Sequence, residues 1–445
     1  MDIQYIYNNV FLAHPVVSTD SRHCPEGSMF FALKGERFDG NQYAAMALEG
    51  GAAVAVVDAP SVAASLPGRA LLVDDVLATL QALAREHRRR FRGPVIQVTG
   101  TNGKTTTKEL LAAVLGRRYH VLWTQGNLNN HIGVPLTLLR LRPAEHEVAV
   151  VETGANHPGE IAALCGIVEP DFGLITNVGR AHLAGFGSFD GVKRTKGELY
   201  DFLSSRPGGN VFVNTCDADL SAMAAARFGL PLADNARIIP YVSGRLSATT
   251  GAELSFCWEE GADCAGVVHE VRTHLVGNYN LANLRAAVTV GLAFGVTPAD
   301  IDAALAAYQP TLGRSEFKTT PYNALIVDAY NANPTSMRAA LDNFASIRHE
   351  RKMVILGDMR ELGSVSHEEH CRVVEQVLKS DVQEAWFVGE EFAAAVSAVG
   401  STAPVVTLPD VAAAKARIAA SRPEGFLILV KGSNGTRLFE LPELL

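Results

Sequence analysis

The sequence predicts an α/β fold divided into three domains, and three observations support this prediction. The chain has 445 residues, more than one growing hydrophobic core usually accommodates. Short apolar runs typical of strands alternate with helical stretches along most of the chain. An apolar strand at 95–98 also leads through a glycine-rich loop into a helix. We expect domains at 1–84, 85–312 and 313–445.

The first domain is predicted to be a small α/β unit. Its strand-like segments lie at 29–33 and 52–57, with a loop at 34–41 and a helix at 44–48 between them. The basic run REHRRRFR at 85–92 precedes Gly93-Pro94. We interpret it as a solvated helix end and linker, rather than a binding patch, which separates the first two domains.

The second and third domains are predicted to contain parallel sheets covered by helices. In the second, the strand-like runs lie at 95–98, 148–151 and 173–175, followed by a more irregular portion at about 210–275 with short strand-like pieces at 252–258 and 267–271. In the third they lie at 325–327, 353–356, 386–388 and 427–430. Each strand of the third set ends in a polar or glycine-rich loop, which favours a doubly wound, Rossmann-like sheet.

Composition limits the classes of partner. A net charge of −8 provides no global basic surface, so we do not expect nucleic acid to be a partner. No segment approaches the ~18 apolar residues of a membrane span, and the first residues lack a signal-peptide pattern. The six cysteines are scattered without a C-x-x-C pair, as in reduced proteins. We expect a soluble, cytoplasmic protein.

The segment 100–105, Gly-Thr-Asn-Gly-Lys-Thr, has the composition of a phosphate-binding loop. Its glycines let backbone N–H groups approach a polyphosphate, and the helix N-terminus adds a positive dipole. Lys104 can reach the terminal phosphates, and the Thr105 hydroxyl can ligate Mg²⁺. Val98 replaces the first glycine of the common P-loop, which argues against ordinary GTPases and nucleotide kinases. We predict a nucleoside triphosphate site; the alternative is a plain glycine turn.

Three further residues are predicted near the same sheet edge, where ligands gather in open α/β sheets. Glu152 ends a strand and is a candidate Mg²⁺ ligand, or else a solvated or capping residue. His182 follows the next strand and is either a ligand or a structural histidine. Lys196 lies near the start of a helix, where it could pair with an acid, become carbamylated and ligate metal, or remain solvated.

Two other polar segments allow more than one interpretation. The segment GNYNLAN at 277–283 opens a helix with three asparagines, whose amides could recognise an adenine edge or cap the helix. The segment HEEHC contains His367, His370 and Cys371 at helical spacing. Because no fourth ligand lies nearby, it indicates helix surface rather than a metal cluster.

These motifs together resemble a known family. TGTNGKTTT, VETGAN, NVGRAHL, KGE, GNYNLANLRAA and GRSE occur in the order and spacing of the Mur ligases, ATP-dependent amide-forming enzymes of peptidoglycan precursor synthesis. The resemblance spans the whole chain. DAYNANPTSM, GDMRELG and KGSNG resemble the members that add D-alanyl-D-alanine to UDP-N-acetylmuramoyl-tripeptide. The segment 20–22, with FFALKG and FDG, resembles the UDP-muramoyl-peptide site.

The resemblance implies roles for individual residues. Catalysis is implied for Lys104, Glu152, His182, Lys196 and Arg314. ATP binding is implied for Gly100, Thr101, Asn102, Gly103, Lys104, Thr105, Thr106, Asn280, Asn283, Arg314 and Asp328. Mg²⁺ binding is implied for Thr105, Glu152, His182 and Lys196, of which Lys196 matches the carbamylated lysine. Muramoyl-substrate contacts are implied for Ser21, Arg22, Asn127, Asn129 and Asn130.

Within this family Arg314 would reach the γ-phosphate and Asp328 would hold the ribose. Both lie in a different predicted domain from Lys104, so we expect domain closure to complete the nucleotide site and to keep water from an acyl phosphate. We expect a monomer. The alternatives are the diamino-acid-adding Mur ligase, folylpolyglutamate synthase and a nucleotide-dependent switch. Neither rival enzyme is expected to carry DAYNANPTSM together with GDMRELG, and ATP turnover independent of an acceptor amine would favour the switch.

Overall fold

A computed structural model describes residues 2–181, 183–229, 231–247, 252–260, 267–310, 313–400 and 405–445. Their strands form a four-stranded, a six-stranded and a nine-stranded sheet, together with a two-stranded hairpin. The predicted mixed α/β fold with parallel sheets is confirmed. Within these ranges, every helix is too short or too polar to cross a membrane.

The N-terminal part contains a parallel sheet of order β1-β2-β5-β6. Its strands are β1 Val17–Ser18, β2 Met29–Phe31, β3 Lys34–Gly35, β4 Phe38–Asp39, β5 Val54–Val57 and β6 Ala70–Leu72. Its helices are α1 Ile3–Ile6, continued by a π-helical turn at Tyr7–Phe11, then α2 Ala44–Glu49, α3 Pro60–Ser65 and α4 Val76–Arg90, with a 3₁₀ turn at Gly40–Tyr43. The hairpin of β3 and β4 lies where a loop was predicted.

The central sheet is entirely parallel, with the order β12-β11-β10-β7-β9-β8. Its strands are β7 Val95–Thr99, β8 Val121–Trp123, β9 Val148–Glu152, β10 Phe172–Ile175, β11 Asn210–Val213 and β12 Ile238–Pro240. Its helices are α5 Lys104–Leu115, α6 Gly133–Leu138, α7 Glu160–Val168, α8 Leu183–Phe186, α9 Phe189–Ser204 and α10 Ala218–Phe228, with a 3₁₀ turn at Leu232–Asp234. Every residue of β7 and β9 is buried, as expected for central strands of a covered sheet.

The third sheet joins an antiparallel extension to a parallel Rossmann-like portion, in the order β13-β14-β15-β16-β17-β21-β18-β19-β20. Its strands are β13 Gly244–Leu246, β14 Glu253–Glu259, β15 Val268–Val276, β16 Glu316–Thr319, β17 Ala324–Asp328, β18 Lys352–Gly357, β19 Glu384–Val388, β20 Val405–Leu408 and β21 Leu427–Lys431. The helices in this part of the chain are α11 Leu281–Ala293, which packs against α5 of the central domain, α12 Pro298–Ala307, α13 Pro334–Ser346, α14 Ser366–Leu378, α15 Glu390–Val399 and α16 Val411–Ala420. Short 3₁₀ turns lie at Asn278–Asn280, Gly363–Val365, Asn434–Thr436 and Leu438–Glu440.

The junction of β15 and β16 positions part of the site. Leu275 pairs with Glu316 across this junction, and the backbone N–H of Val276 donates to the Ser315 carbonyl at 3.1 Å. The sheet therefore continues past the boundary expected at 312. This places the segment 313–316 beside the polar turn that precedes α11.

The basic run 85–92 contains the end of a helix, as predicted, but its interpretation as solvated was wrong for Glu86, His87 and Arg88, which are buried. Most of it belongs to α4, whose apolar side shares one core with the N-terminal and central sheets. Arg88 is 7% exposed, and its guanidinium donates to the carbonyls of Val168 and Glu169 and to the Asp171 carboxylate. A cation that satisfies the last carbonyls of α7 stabilises its C-terminus, which explains why this arginine is buried.

Candidate active site

The predicted phosphate loop connects β7 to α5 and depends on two glycines. Gly100 has φ +143°, and a Cβ there would lie 2.0 Å from the Thr176 hydroxyl oxygen. Gly103 has φ +77°, and its Cβ would lie 2.8 Å from Oδ1 of Asn283. Both positions require a residue without a side chain. The loop therefore presents its backbone at the N-terminus of α5, where an anion is stabilised.

A cavity of about 840 Å³ opens over this loop. Its wall includes the loop, the strand ends of the central sheet, and the third sheet's first loops. The predicted residues that line it are Thr101, Asn102, Gly103, Lys104, Thr105, Thr106, Asn127, Asn129, Asn130, Glu152, Asn280, Asn283, Arg314 and Asp328. The structure thus brings segments that are distant in sequence to one site.

The remaining predicted residues lie elsewhere or outside the described part of the chain. Gly100 and Lys196 do not line the cavity, and His182 is outside the described residues. Ser21 and Arg22 belong to the N-terminal part and do not line this cavity. The Arg22 side chain is 75% exposed and pairs with Asp20 at 2.8 Å. Substrate contacts at Ser21 and Arg22 remain a prediction.

Glu152 supplies a buried carboxylate beside the phosphate loop. It is 1% exposed, accepts a hydrogen bond from the Thr105 hydroxyl at 2.9 Å, and accepts another from Nδ2 of Asn129 at 2.8 Å. Among the residues that the structure describes, no three His, Cys, Asp or Glu side chains cluster as metal ligands. Mg²⁺ commonly uses one or two carboxylates with phosphate oxygens and water. The Thr105–Glu152 oxygen pair fits that ligand set.

Two lysines at the site have lowered pKa values. Burial lowers the pKa of Lys104, an effect that Glu152 opposes and Arg314 reinforces. The Lys104 ammonium donates to the Gly100 carbonyl at 3.0 Å and the Thr101 carbonyl at 2.9 Å. Lys196, on α9, is 2% exposed; burial, followed by the charge of Lys104, lowers its pKa to about 7. A substantial fraction of Lys196 is therefore a neutral, nucleophilic amine near neutral pH.

The asparagines at the start of α11, Asn280 at its N-cap and Asn283 in its first turn, form an internal network. The Thr107 hydroxyl donates to Oδ1 of Asn283 at 3.1 Å, Asn283 Nδ2 donates to Asn280 Oδ1 at 2.8 Å, and Asn280 Nδ2 donates to the Val276 carbonyl at 2.8 Å. Asn280 is the N-cap residue but makes no side-chain capping bond. These amides connect α5, α11 and β15. Recognition of a base remains a prediction for them.

The third sheet contributes a cation and an acid to the cavity. The Arg314 guanidinium carbon lies 3.7 Å from the centre of the Tyr330 ring. Asp328, at the end of β17, pairs with Lys431 at the end of the neighbouring strand β21. Lys431 also donates to the Asn331 carbonyl at 3.2 Å. These contacts fix the orientation of the charged groups around the opening.

The phosphate loop also contacts helix α13 directly. Nδ2 of Asn333, the N-cap residue of α13, donates to Oδ1 of Asn102 at 2.7 Å. The backbone N–H of Arg180 donates to the Thr335 hydroxyl at 3.1 Å. The third sheet is therefore attached to the central domain at the loop that would hold phosphate.

Comparison with known proteins identifies the family. A model described as Mur ligase family, catalytic domain, matches residues 15–88. The Mur ligase middle domain matches 98–291, and the Mur ligase, glutamate ligase domain, matches 313–434. The chain belongs to the Mur ligase family. The family resemblance predicted from the motifs is confirmed.

Individual Mur ligases match over most of the chain. UDP-N-acetylmuramoyl-tripeptide--D-alanyl-D-alanine ligase of Bacillus subtilis is 37% identical, over 80% of this chain and 75% of the relative. A crystal structure of MurF from Acinetobacter baumannii is 34% identical, with a TM-score of 0.82, over 96% of this chain and 92% of the other. A structure of MurF ligase from Thermotoga maritima in complex with ADP is 26% identical, with a TM-score of 0.82, over 98% of each chain.

Sequence reasoning missed several polar residues of this Mur ligase's site: Tyr330, Asn333, Thr335 and Lys431. The motifs DAYNANPTSM and KGSNG contain them, but their roles depend on which strands are neighbours. The interpretation of HEEHC as helix surface was wrong for His370, which is 0% exposed. Its Nε2 accepts from the Met359 N–H at 3.0 Å and its Nδ1 donates to the Ser366 carbonyl at 2.7 Å, so it supports the loop after β18.

Proposed function

We propose that this Mur ligase is an ATP-dependent ligase that joins D-alanyl-D-alanine to UDP-N-acetylmuramoyl-tripeptide to make UDP-N-acetylmuramoyl-pentapeptide. One observation carries the proposal: the phosphate loop and the Arg314 and Asp328 side chains line the same cavity. The substrates are those named for its relatives, the UDP-N-acetylmuramoyl-tripeptide--D-alanyl-D-alanine ligases. The DAYNANPTSM and GDMRELG segments support this acceptor over those of related ligases.

The chemistry requires a better leaving group than hydroxide. The terminal carboxylate of the tripeptide would attack the γ-phosphorus of ATP and release ADP, giving an acyl phosphate. The amine of D-alanyl-D-alanine would then attack the acyl carbon and phosphate would leave. Both steps gather negative charge, which Lys104, Arg314 and the N-terminus of α5 would stabilise.

We propose that the Thr105 hydroxyl ligates one Mg²⁺ at the ATP phosphates and that Glu152 and His182 hold a second Mg²⁺, with a carbamylated Lys196 as a further metal ligand. When bound, Mg²⁺ would neutralise charge on the phosphates. The buried Lys196 amine with a pKa near 7 supports carbamylation, because the neutral amine is the form that reacts with CO₂. Asp328 would hold the ribose and Asn280 and Asn283 would face the adenine.

We also propose domains at 1–84, 85–312 and 313–445, and a cytoplasmic monomer. The described cysteines, Cys24, Cys165, Cys216, Cys257 and Cys371, are all free, as expected in a reducing compartment. Light scattering during size-exclusion chromatography tests the oligomeric state.

The decisive experiment measures phosphate release by the purified protein with ATP and Mg²⁺. UDP-N-acetylmuramoyl-tripeptide and D-alanyl-D-alanine are offered separately and together, and the product is identified by mass. Release that requires both substrates and yields the pentapeptide supports the proposal. Release with another amine would mean a different acceptor, and release independent of any amine would favour the nucleotide switch. Lys104→Met should abolish turnover, whereas Lys379→Met, at the exposed residue that follows α14, should not.

A further inference from the structure

Lys108 is a buried charge that the proposed reaction does not use. It lies in the second turn of α5, is 0% exposed, and its ammonium donates to the Thr124 carbonyl at 2.6 Å. It also pairs with the Glu109 carboxylate at 2.5 Å and lies 3.5 Å from the Gly126 carbonyl. An enclosed ammonium is costly unless such partners satisfy it. The two carbonyls lie at the start of one loop, 124–130.

A second contact fixes the same loop from the neighbouring side. The other carboxylate oxygen of Glu109 accepts from Nε1 of Trp123 at 3.0 Å. The Thr124 hydroxyl accepts from the backbone N–H of Glu152 at 3.0 Å. The Lys108–Glu109 pair therefore holds the end of β8 against α5, while the Thr124 hydroxyl holds it against the end of β9.

The held loop forms the amide-rich wall of the cavity. Asn127, Asn129 and Asn130 all line it. The Asn129 carbonyl accepts from the Gly154 N–H at 2.8 Å, and a Cβ at Gly154 would lie 3.1 Å from Asn129 Oδ1. Because this fit is close, even a small displacement of the wall would disturb the contact between Asn129 and Gly154. Displacement of residues 124–126 would move this whole row of amides.

We infer that Lys108 is a positioning residue that sets the affinity for the UDP-muramoyl-peptide substrate by fixing the wall at 127–130 relative to α5. The inference rests on the proposed function, which supplies the substrate. The phosphate loop begins α5 and is held by its own glycine geometry and by contacts on its other side. Loss of Lys108 therefore releases the substrate wall while leaving the nucleotide loop in place.

The test uses Lys108→Met, which keeps the side-chain length and removes the charge. Isothermal titration measures the Kd of UDP-N-acetylmuramoyl-tripeptide and, separately, of a non-hydrolysable ATP analogue with Mg²⁺. We expect the first Kd to rise about tenfold, equivalent to about 1.4 kcal/mol, and the second to change less than about threefold.

The matched control is Lys352→Met. Lys352 is 1% exposed, donates to the Ala345 carbonyl at 3.1 Å and pairs with Asp381 at 2.8 Å, away from the cavity. The Lys352→Met variant should lose thermal stability as Lys108→Met does. Its Kd values for the UDP-peptide and for the ATP analogue should both stay within about twofold of wild type. This separates a general cost of removing a buried cation from an effect on the wall.

Equal weakening of both ligands in Lys108→Met, or no weakening of either, overturns the inference. If Lys108→Met does not fold, Glu109→Gln replaces it and should raise the Kd of the UDP-peptide about threefold; an unchanged value overturns the inference. Wild-type protein that fails to bind the UDP-peptide would refute the proposed function, and the inference with it. Binding by wild type with an unchanged Kd in the variants refutes only the role of Lys108.

Discussion

The contact between Asn102 and Asn333 should contribute to ATP affinity, and the substitution Asn333→Ser tests this. Asn333 is 5% exposed and performs two tasks. Its Oδ1 accepts from the Ser336 N–H at 2.9 Å as the N-cap of α13, and its Nδ2 donates to Asn102 at 2.7 Å. Serine is also a good N-cap residue but is too short to reach Asn102. The substitution therefore removes the contact with the phosphate loop and keeps the helix start.

The expected magnitude follows from one buried hydrogen bond. Such a bond contributes about 0.5–1.5 kcal/mol, which corresponds to a change of roughly twofold to tenfold in an equilibrium constant. If ATP binds the arrangement in which the third sheet contacts the loop, the loss of this free energy in Asn333→Ser raises the KM for ATP. The KM for D-alanyl-D-alanine at saturating ATP should change less.

Steady-state kinetics in a double-mutant cycle with Asn102→Ala measures the effect. Both substitutions remove the same contact. The KM for ATP of the double variant should therefore be about that of the single variant with the higher KM. The control is Asp410→Ser, another N-cap exchange, at α16, where Asp410 accepts from the Ala413 N–H at 2.9 Å. Fully additive effects of the two substitutions on the KM for ATP would refute the reasoning, as would an effect of equal size in the control.

Two more predictions concern charged residues of the site. Tyr330→Leu removes the ring under the Arg314 guanidinium and should lower kcat/KM for ATP by roughly fivefold, equivalent to about 1 kcal/mol. Tyr330→Phe keeps the ring and should retain a near-normal kcat/KM. Equal losses in the two variants would show that the stacking contact does not contribute. In the folded protein the pKa of Lys196 is lowered from 10.5 to about 7. Between these two pH values Lys196 binds fewer protons in the folded protein than in the unfolded chain. Its contribution to the free energy of unfolding therefore rises with pH, by at most about 1.4 kcal/mol per pH unit. The gap between the urea midpoints of wild type and Lys196→Met should therefore shift in favour of wild type from pH 7 to higher pH, and parallel midpoints would contradict this.

The phosphate loop could be predicted from sequence because its determinants are local. Gly100 and Gly103 have positive φ values that glycine adopts readily, and Lys104 and Thr105 follow directly at the helix start. The strands at 95–99 and 148–152 were predictable for the same reason, since continuous apolar runs indicate strands buried on both faces.

Contacts between elements could not be predicted in this way. Lys108 lies in a helix of mixed polarity, and its complete burial depends on the loop after β8. Asp328 and Lys431 meet because β17 and β21 are neighbours, which no local pattern indicates. Arg88 looked solvated because the C-terminus of α7, which it contacts, lies far away in sequence. In each case a distant backbone or side-chain group determines the environment of a charged residue.

The beginning of α5 explains why the expected effects are selective. Asn102 attaches the preceding loop to α13, Thr107 attaches the helix to Asn283 in the first turn of α11, and Lys108 attaches it to the loop at 124–130. Helix α5 has its own backbone hydrogen bonds and is buried along much of its length. In each of these three attachments α5 is therefore the rigid side. Removing one anchor therefore frees one neighbouring loop without displacing the others. Loss of the Asn102 side chain should weaken ATP binding because it removes the contact with the third sheet. Loss of the Lys108 ammonium should weaken binding of the UDP-muramoyl-peptide because it frees the wall at 127–130.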